Sequence, residues 1–568
     1  MSRRYFADTR VAMHVPIRIL VHVLALLGMP VLAQAQEPVE ARSVPAGVEP
    51  LAGETVFIES LRGVITVPEA DDMHLPVSAE FTGVDTSRTP LLADPAVAAL
   101  IGLFLDKPMS FGSADRLCSA VRSWLRAMGQ PFVAVYLPPQ DVTGGSIRLV
   151  VRRARLDGEL SIEGAKWFSE SSYRKAVPLE AGGEIDAARV QAGVERINGS
   201  AFRRVTIAAE PGSESGTTRL VLRAQEIRPW EVVSGWNNSG TAVTDENRIT
   251  AGLTWGNALG RGDTLGYNFS ADPELKHSRS HSANYGTSFE SGRSLSLFGS
   301  WSKVESALPE PLTQEGTSWQ AGARYAVPFS TTASGWARNL SVGADFKYSD
   351  NNLEFAAIPI TDNVTHVAQV GVTFSLSRRE SQHAMWLSAS LYASPGGLTD
   401  NNEDAAFDAA RFGARARYAY GRFDAGYTRE LARNFSLNVS ASLQAASGPL
   451  LGTEQLNGGG VAAVRGYRES SAFGDAGALV RTELHLPPLS LMRERDVADV
   501  FLFVDGAALE TRDPGGDSFE LGSGGAGVNY RIGRYFSLSG AFGWQLRDVP
   551  SSAGRASYRG HLNVAVSF

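Results

Sequence analysis

The chain of 568 residues has one cysteine, Cys118. Disulfides within the chain and cysteine-based metal clusters are therefore excluded. Cys118 falls in a helical pattern between Leu117 and Val121 and reads as a small semi-buried residue. Beyond the N-terminus, no segment reaches the ~18 consecutive apolar residues of a membrane-spanning helix. That leaves a membrane β-barrel open, because spanning strands carry a far weaker hydropathy signal. Positive charge is also scarce: 53 Lys and Arg face 60 Asp and Glu, a net −7. With no dense basic run, nucleic acid is not an expected partner. Catalytic signatures are missing too. There is no P-loop, H-E-x-x-H or G-x-S-x-G, and the nine histidines are scattered, so no enzyme activity, metal or cofactor is expected. A G-x-G-x-x-G match, Gly522 to Gly527, leads into strand-like Val528-Asn529-Tyr530. Without a following helix no N-terminal dipole could receive phosphate, and the stretch reads as a Gly-rich strand or turn.

What is present changes character along the chain. Arg3, Arg4, Arg10 and Arg18 precede or open an apolar run, Ile19 to Leu32, and Ala33-Gln34-Ala35 offers a cleavage site. Residues 1–35 are expected to be a secretory signal peptide. Its removal takes away four Arg and Asp8, so the net charge goes from −7 to −10. Residues 36–76 hold Pro38, Pro45, Pro50, Pro68 and Pro76. Proline at that density opposes helix and predicts a linker, with one short strand at Val56-Phe57-Ile58.

Residues 77–224 read as soluble α+β, twice over. In the first unit a strand ends at Phe81-Thr82-Gly83-Val84. Asp94 caps a helix with Pro95 in its first turn, and a second helix runs from about Ala114 to Met128, with Leu117, Val121, Trp124, Leu125 and Met128 on one face. Strands Phe132–Tyr136 and Ser146–Val151 follow. The second unit repeats the order: strand Glu159–Ile162, helices Ser169–Ala176 and Asp186–Asn198, strands Phe202–Ala208 and Thr218–Arg223. These βααββ units resemble POTRA domains, periplasmic receptor modules. The stretch Leu137-Pro138-Pro139-Gln140-Asp141-Val142, ahead of the Ile147-Leu149-Val151 strand, resembles the first POTRA of two-partner secretion transporters. Pro211-Gly212 and Gly216 to Leu220 resemble the end of their second.

From Trp230 the period becomes two. Tyr558, Gly560, Leu562, Val564, Val566 and Phe568 share one face of the last strand, and Arg559, His561, Asn563, Ala565 and Ser567 the other. One face suits lipid and the other a polar lumen, as a membrane barrel requires. Eight of the ten Trp lie between 230 and 544, as in aromatic girdles. The 339 residues from 230 to 568 accommodate about sixteen strands, an even number that leaves an aqueous channel.

Val464-Arg465-Gly466-Tyr467 lies in a Gly-rich loop after Gly458-Gly459-Gly460. A cation there needs a wet lumen and a carboxylate. Along Val500 to Ala507 the outward set is Val500, Leu502, Val504 and Gly506, so Phe503 and Asp505 point inward. The tetrapeptide resembles the VRG(Y/F) loop of the outer-membrane insertase and secretion-pore superfamily, and Phe503-x-Asp505 its F-x-D-x-G partner, with Ala507 in the glycine place. Gly235-Trp236-Asn237-Asn238-Ser239-Gly240 and Gly260-Arg261-Gly262-Asp263 resemble the first barrel hairpin of the secretion transporters, and Gly474-Asp475-Ala476-Gly477 with Glu483-Leu484 continues the likeness.

The chain thus resembles the two-partner secretion transporters of haemolysin secretion/activation type over residues 77–568. The resemblance implies α+β POTRA domains at 77–154 and 155–226, in the periplasm, and an outer-membrane barrel at 227–568. It implies export of a large unfolded, β-helical exoprotein, received by the POTRA pair around Pro138, Pro139, Gln140, Ile147 and Leu149. It also implies a barrel surrounded by outer-membrane lipid, with Phe568 as the C-terminal signal read by the barrel assembly machinery. Transporters of this kind often carry an N-terminal plug helix; 36–76 offers no amphipathic helix, which leaves a tether or an added strand. An insertase of the same superfamily is the alternative reading, though those have more POTRA units. A passive porin is a second and would need neither receptor domains nor the Arg465 loop.

Overall fold

The structure, a computed structural model, describes residues 50–51, 53–69, 81–214, 216–241, 244–289, 291–306, 312–332, 334–355, 358–548 and 557–568, with the side chains of 353–362 left aside. The expected signal peptide, with Pro38, Pro45 and Pro76, lies outside these residues. The chain divides into two compact units at Pro229/Trp230.

The unit before Trp230 holds two four-stranded sheets and one two-stranded pairing. In the first, Gly63–Val67 pairs in parallel with Gly83–Asp85 and with Ser146–Arg153, whose other edge takes Val133–Tyr136 antiparallel. The helices Pro95–Gly102 and Phe111–Ala127 cover it. The Asp94 side chain accepts from Ala96 N at 2.9 Å, the expected cap. The second helix starts at Phe111 rather than near Ala114, because Ser110 and Ser113 form a reciprocal capping box. Cys118 is buried in this core, which pushes its thiol up to about 11 and keeps it protonated and unreactive at neutral pH.

The linker reading of 36–76 needs correction. Gly63–Val67 is buried along its whole length and sits second in the sheet. Val56–Ile58 pairs with Met109–Ser110. The proline count concealed Gly63-Val64-Ile65-Thr66-Val67, a β-branched run of the kind that fills a strand buried on both faces. Segment 56–67 is therefore part of the first α+β fold.

In the second sheet Thr217–Glu226 pairs antiparallel with Arg203–Pro211, and in parallel with Arg155–Leu156 and Ser161–Glu163. The helices Glu170–Ala176 and Ala187–Asn198 pack on it through Tyr173, Val190 and Ile197.

The second compact unit is a closed barrel of sixteen antiparallel strands. In order they are β1 Trp230–Asn237, β2 Arg248–Gly256, β3 Thr264–Ala271, β4 Ser278–Ser288, β5 Ser294–Ser306, β6 Leu312–Phe329, β7 Ala337–Phe355 and β8 Ile358–Arg379. There follow β9 His383–Ser394, β10 Tyr418–Glu430, β11 Ser436–Ala446, β12 Ala476–His485, β13 Asp496–Glu510, β14 Ser518–Ile532, β15 Phe536–Gln545 and β16 Tyr558–Ser567. Closure joins β1 to β16 from Val233↔Ser567 to Asn237↔Asn563. The two-residue period behaves as expected: Leu502 and Val504 point out while Phe501, Phe503, Asp505 and Ala507 are buried. Gly522 to Gly527 lies inside β14.

Candidate functional site

Between β11 and β12 the chain leaves the wall at Ser447 and returns at Asp475, and part of this excursion packs inside the barrel. At its base Leu456–Asn457 pairs with Phe473–Gly474. The segment between them carries Val464-Arg465-Gly466-Tyr467, with Val464, Arg465 and Tyr467 at most 2% exposed.

Each motif residue has a separate contact. Arg465 donates from Nε to Asp505 Oδ2 at 2.7 Å and from one terminal nitrogen to Oδ1 at 2.7 Å, a bidentate fork. Its backbone N–H adds a bond to Oδ2 at 3.1 Å. The other terminal nitrogen donates to Glu483 at 2.5 Å. The guanidinium carbon sits 3.8 Å from the Phe503 ring centroid, within cation–π range. The Asp505 side chain is fully buried. A charge desolvated to this degree is stable only when its hydrogen-bonding capacity is met, and fork, second carboxylate and aromatic face together meet it.

The wall is shaped for this by register. Arg481, Asp505 and Ser523 stand abreast on β12, β13 and β14, and so do Glu483, Phe503 and Gly525. Gly525 in turn faces Gly543 on β15. A Cβ on Gly525 would meet Phe503 Cζ at 2.7 Å, so the glycine is what lets the ring lie across β14. Gly466 has φ +90°, a left-handed value that disfavours side chains. A Cβ there would come within 3.0 Å of the Gly543 carbonyl. Loop and wall therefore touch backbone to backbone, and Gln545 donates to Gly466 O at 2.7 Å. The Tyr467 hydroxyl donates to the Arg547 carbonyl at 2.6 Å and accepts from Gly522 N at 3.2 Å. Ala507, standing where the superfamily motif has glycine, is accommodated: it packs with Val464, Tyr467 and Leu509 in a small apolar cluster.

Sequence reasoning brought Arg465 to Asp505 but missed Glu483 and Gly543. Glu483 was legible, since Arg481, Glu483 and His485 alternate along β12 in the lumen-facing period. Gly543 was not, because it matters only through register with Gly525.

The other expected positions separate. Pro138 and Pro139 end the strand Val133–Tyr136, as residues without N–H must at a ladder's limit. The Gln140 side chain then replaces the missing strand, accepting from Arg148 N at 2.7 Å and donating to Arg148 O at 2.9 Å. Ile147 and Leu149, expected among the receptor residues, are core: 1% and 0% exposed, packed against Leu117 and Val121. They cannot touch an incoming chain, because their side chains are used to join sheet to helix. Phe568 ends β16 with its ring exposed and its backbone paired to Val232.

The family model for haemolysin secretion/activation protein ShlB/FhaC/HecB matches residues 216–530. The outer membrane transporter CdiB of Dickeya dadantii is 22% identical over 86% of this chain and 87% of its own. The hemolysin transporter protein ShlB of Serratia marcescens is 23% identical over 72% and 73%. Among solved structures, CdiB from Escherichia coli aligns with a TM-score of 0.69 at 18% identity, covering 93% and 94% of the two chains, which establishes a common fold. A barrel of sixteen strands is too wide for side chains alone to fill, and here it holds a folded-in loop and follows two POTRA units. The chain belongs to the haemolysin secretion/activation family, outer-membrane transporters of two-partner secretion whose POTRA domains lie in the periplasm.

Proposed function

We propose that this transporter carries one large, unfolded exoprotein of β-helical type to the cell surface, and that the loop locked by Arg465 shapes the passage. The observation that carries this reading is the Arg465–Asp505–Glu483 cluster. A loop held inside a wide barrel by three charge-assisted bonds of 2.5–2.7 Å narrows that barrel in a defined place. The POTRA pair takes up the exported segment by strand addition, which relies on main-chain pairing and makes few demands on sequence. Arg203–Pro211 is the longest edge for it, nine residues with a single strand neighbour among the described residues. Pro138, Pro139 and Gln140 keep the first receptor sheet in shape. Folding of the exoprotein outside prevents its return and supplies the free energy. The exposed Phe568 ring is the mark read by the barrel assembly machinery.

The test is Arg465→Ala, expressed with a cognate exoprotein. The variant is expected to reach the outer membrane, to run as a folded heat-modifiable barrel, and to lose most secretion. Normal secretion by a folded variant would refute the role given to the loop.

A further inference from the structure

The pore loop has a second buried anchor, on the opposite side of its exit from the wall. Its first arm, residues 447–457, carries Glu454, whose side chain is 1% exposed. Glu454 forms an ion pair with Lys347 on β7. It accepts from the Tyr420 hydroxyl on β10 at 2.7 Å and from Gln369 Nε2 on β8 at 3.2 Å. Its backbone carbonyl accepts from Gln444 on β11 at 3.0 Å. Gln369 also donates to Asp345 at 3.3 Å, which Arg324 on β6 holds at 2.6 Å. The cluster is neutral, two carboxylates against two cations, and one of the carboxylates comes from the loop. Beside it Leu450 and Leu451 are buried against Val367, Phe407 and Tyr418.

This anchor shares no partner with the Arg465 lock. Arg465 is bound to β12 and β13, whereas Glu454 is bound to β7, β8, β10 and β11. Gly458-Gly459-Gly460 lies between the two in sequence. An arm fixed at both ends, on separate strands of a closed ring, lies across part of the ring's interior. The Glu454 end is the weaker: its cation is a lysine, a point charge that is one-fifth exposed, whereas Arg465 presents a planar fork with a buried carboxylate.

We propose that Glu454 is a second positioning residue of the pore loop, holding the first arm against β7, β8 and β10 and so setting the width of the passage independently of Arg465. The proposal rests on the reading of the barrel as a conducting pore. The experiment is single-channel recording of the purified full-length protein in planar lipid membranes, with heat-modifiable migration as the check on assembly. Glu454→Lys and Lys347→Glu should each raise conductance several-fold, and the double exchange should bring it back toward the wild-type level. Glu454→Gln should raise it as the reversals do. Tyr420→Phe, which removes one donor and no charge and needs no rearrangement to fold, should give a smaller rise.

A wild-type protein without conductance would sink the pore reading itself. A conducting wild type whose single variants are unchanged would overturn the inference alone. Single variants that open without recovery in the double exchange would do the same, as would Tyr420→Phe at wild-type conductance if the charge variants fail to assemble.

Discussion

The POTRA unit and the barrel place the same kinds of residue on opposite sides. In the POTRA unit Leu117, Val121, Ile147 and Leu149 are inside, and ion pairs such as Arg174–Glu170 and Arg223–Glu163 lie on a wet surface with every partner at least 41% exposed. In the barrel Leu391, Val504 and Trp544 face outward, toward lipid, and the buried contacts inside include ion pairs: Arg465–Asp505, Lys347–Glu454 and Arg324–Asp345. A charge's contribution is thus set by its surroundings more than by its partner. An exposed pair gains little over two hydrated ions, whereas removing one member of a buried pair leaves a desolvated charge behind.

The sharpest way to break the contrast is Arg465→Lys. Lysine keeps the charge but loses the fork, and one ammonium cannot hold both Asp505 oxygens, Glu483 and the Phe503 face. Loop anchoring is expected to weaken by about 3–6 kcal/mol, because two charge-assisted hydrogen bonds are lost at about 1.5–3 kcal/mol each. Export should fall nearly as far as in Arg465→Ala, and protease should reach the loop from outside intact cells. Wild-type export by the lysine variant would reduce the site to charge alone. Next in size is Leu149→Ala, in the core of the first POTRA fold. Lost burial and the cavity left behind should cost about 2–5 kcal/mol, read as faster hydrogen exchange along Ser146–Arg153 in the detergent-solubilised protein. Barrel migration on gels should not change. A shift there instead would mean that the two units do not store their stability separately.

How much of this was legible depended on whether the physics was local. The barrel strands follow from a period of two and their number from the length of chain beyond Trp230, and the helix cap at Asp94 follows from one residue. The Arg465–Asp505 pair was legible through motif likeness joined to lumen parity. Gly63–Val67 escaped because flanking prolines masked a short buried run whose partners are distant, Ser146–Arg153 among them. Ile147 and Leu149 were placed with the receptor residues because a motif records which residues recur and says nothing of whether they face solvent. Glu454 was invisible for the reason Gly543 was: a loop carboxylate 107 residues from its lysine gives no sign in sequence of which strand it will meet.

The smallest effect belongs to Arg174→Ala, and it matters as the counterpart to Arg465. Arg174 also faces two carboxylates, Glu170 at 3.0 Å and Glu159 at 3.5 Å. By contact count alone it resembles the pore-loop arginine. Its side chain, however, is 41% exposed, so water replaces what the mutation removes, and the helix pair at i,i+4 contributes only a few tenths of a kcal/mol. The expected loss is under about 1 kcal/mol, shrinking further as salt screens the pair, with export unchanged. Local hydrogen exchange of Glu170–Ala176 at low and high ionic strength measures it. If Arg174→Ala cost as much as Arg465→Lys, burial would not be what separates the two arginines, and the contrast between the units would have to be rebuilt on geometry.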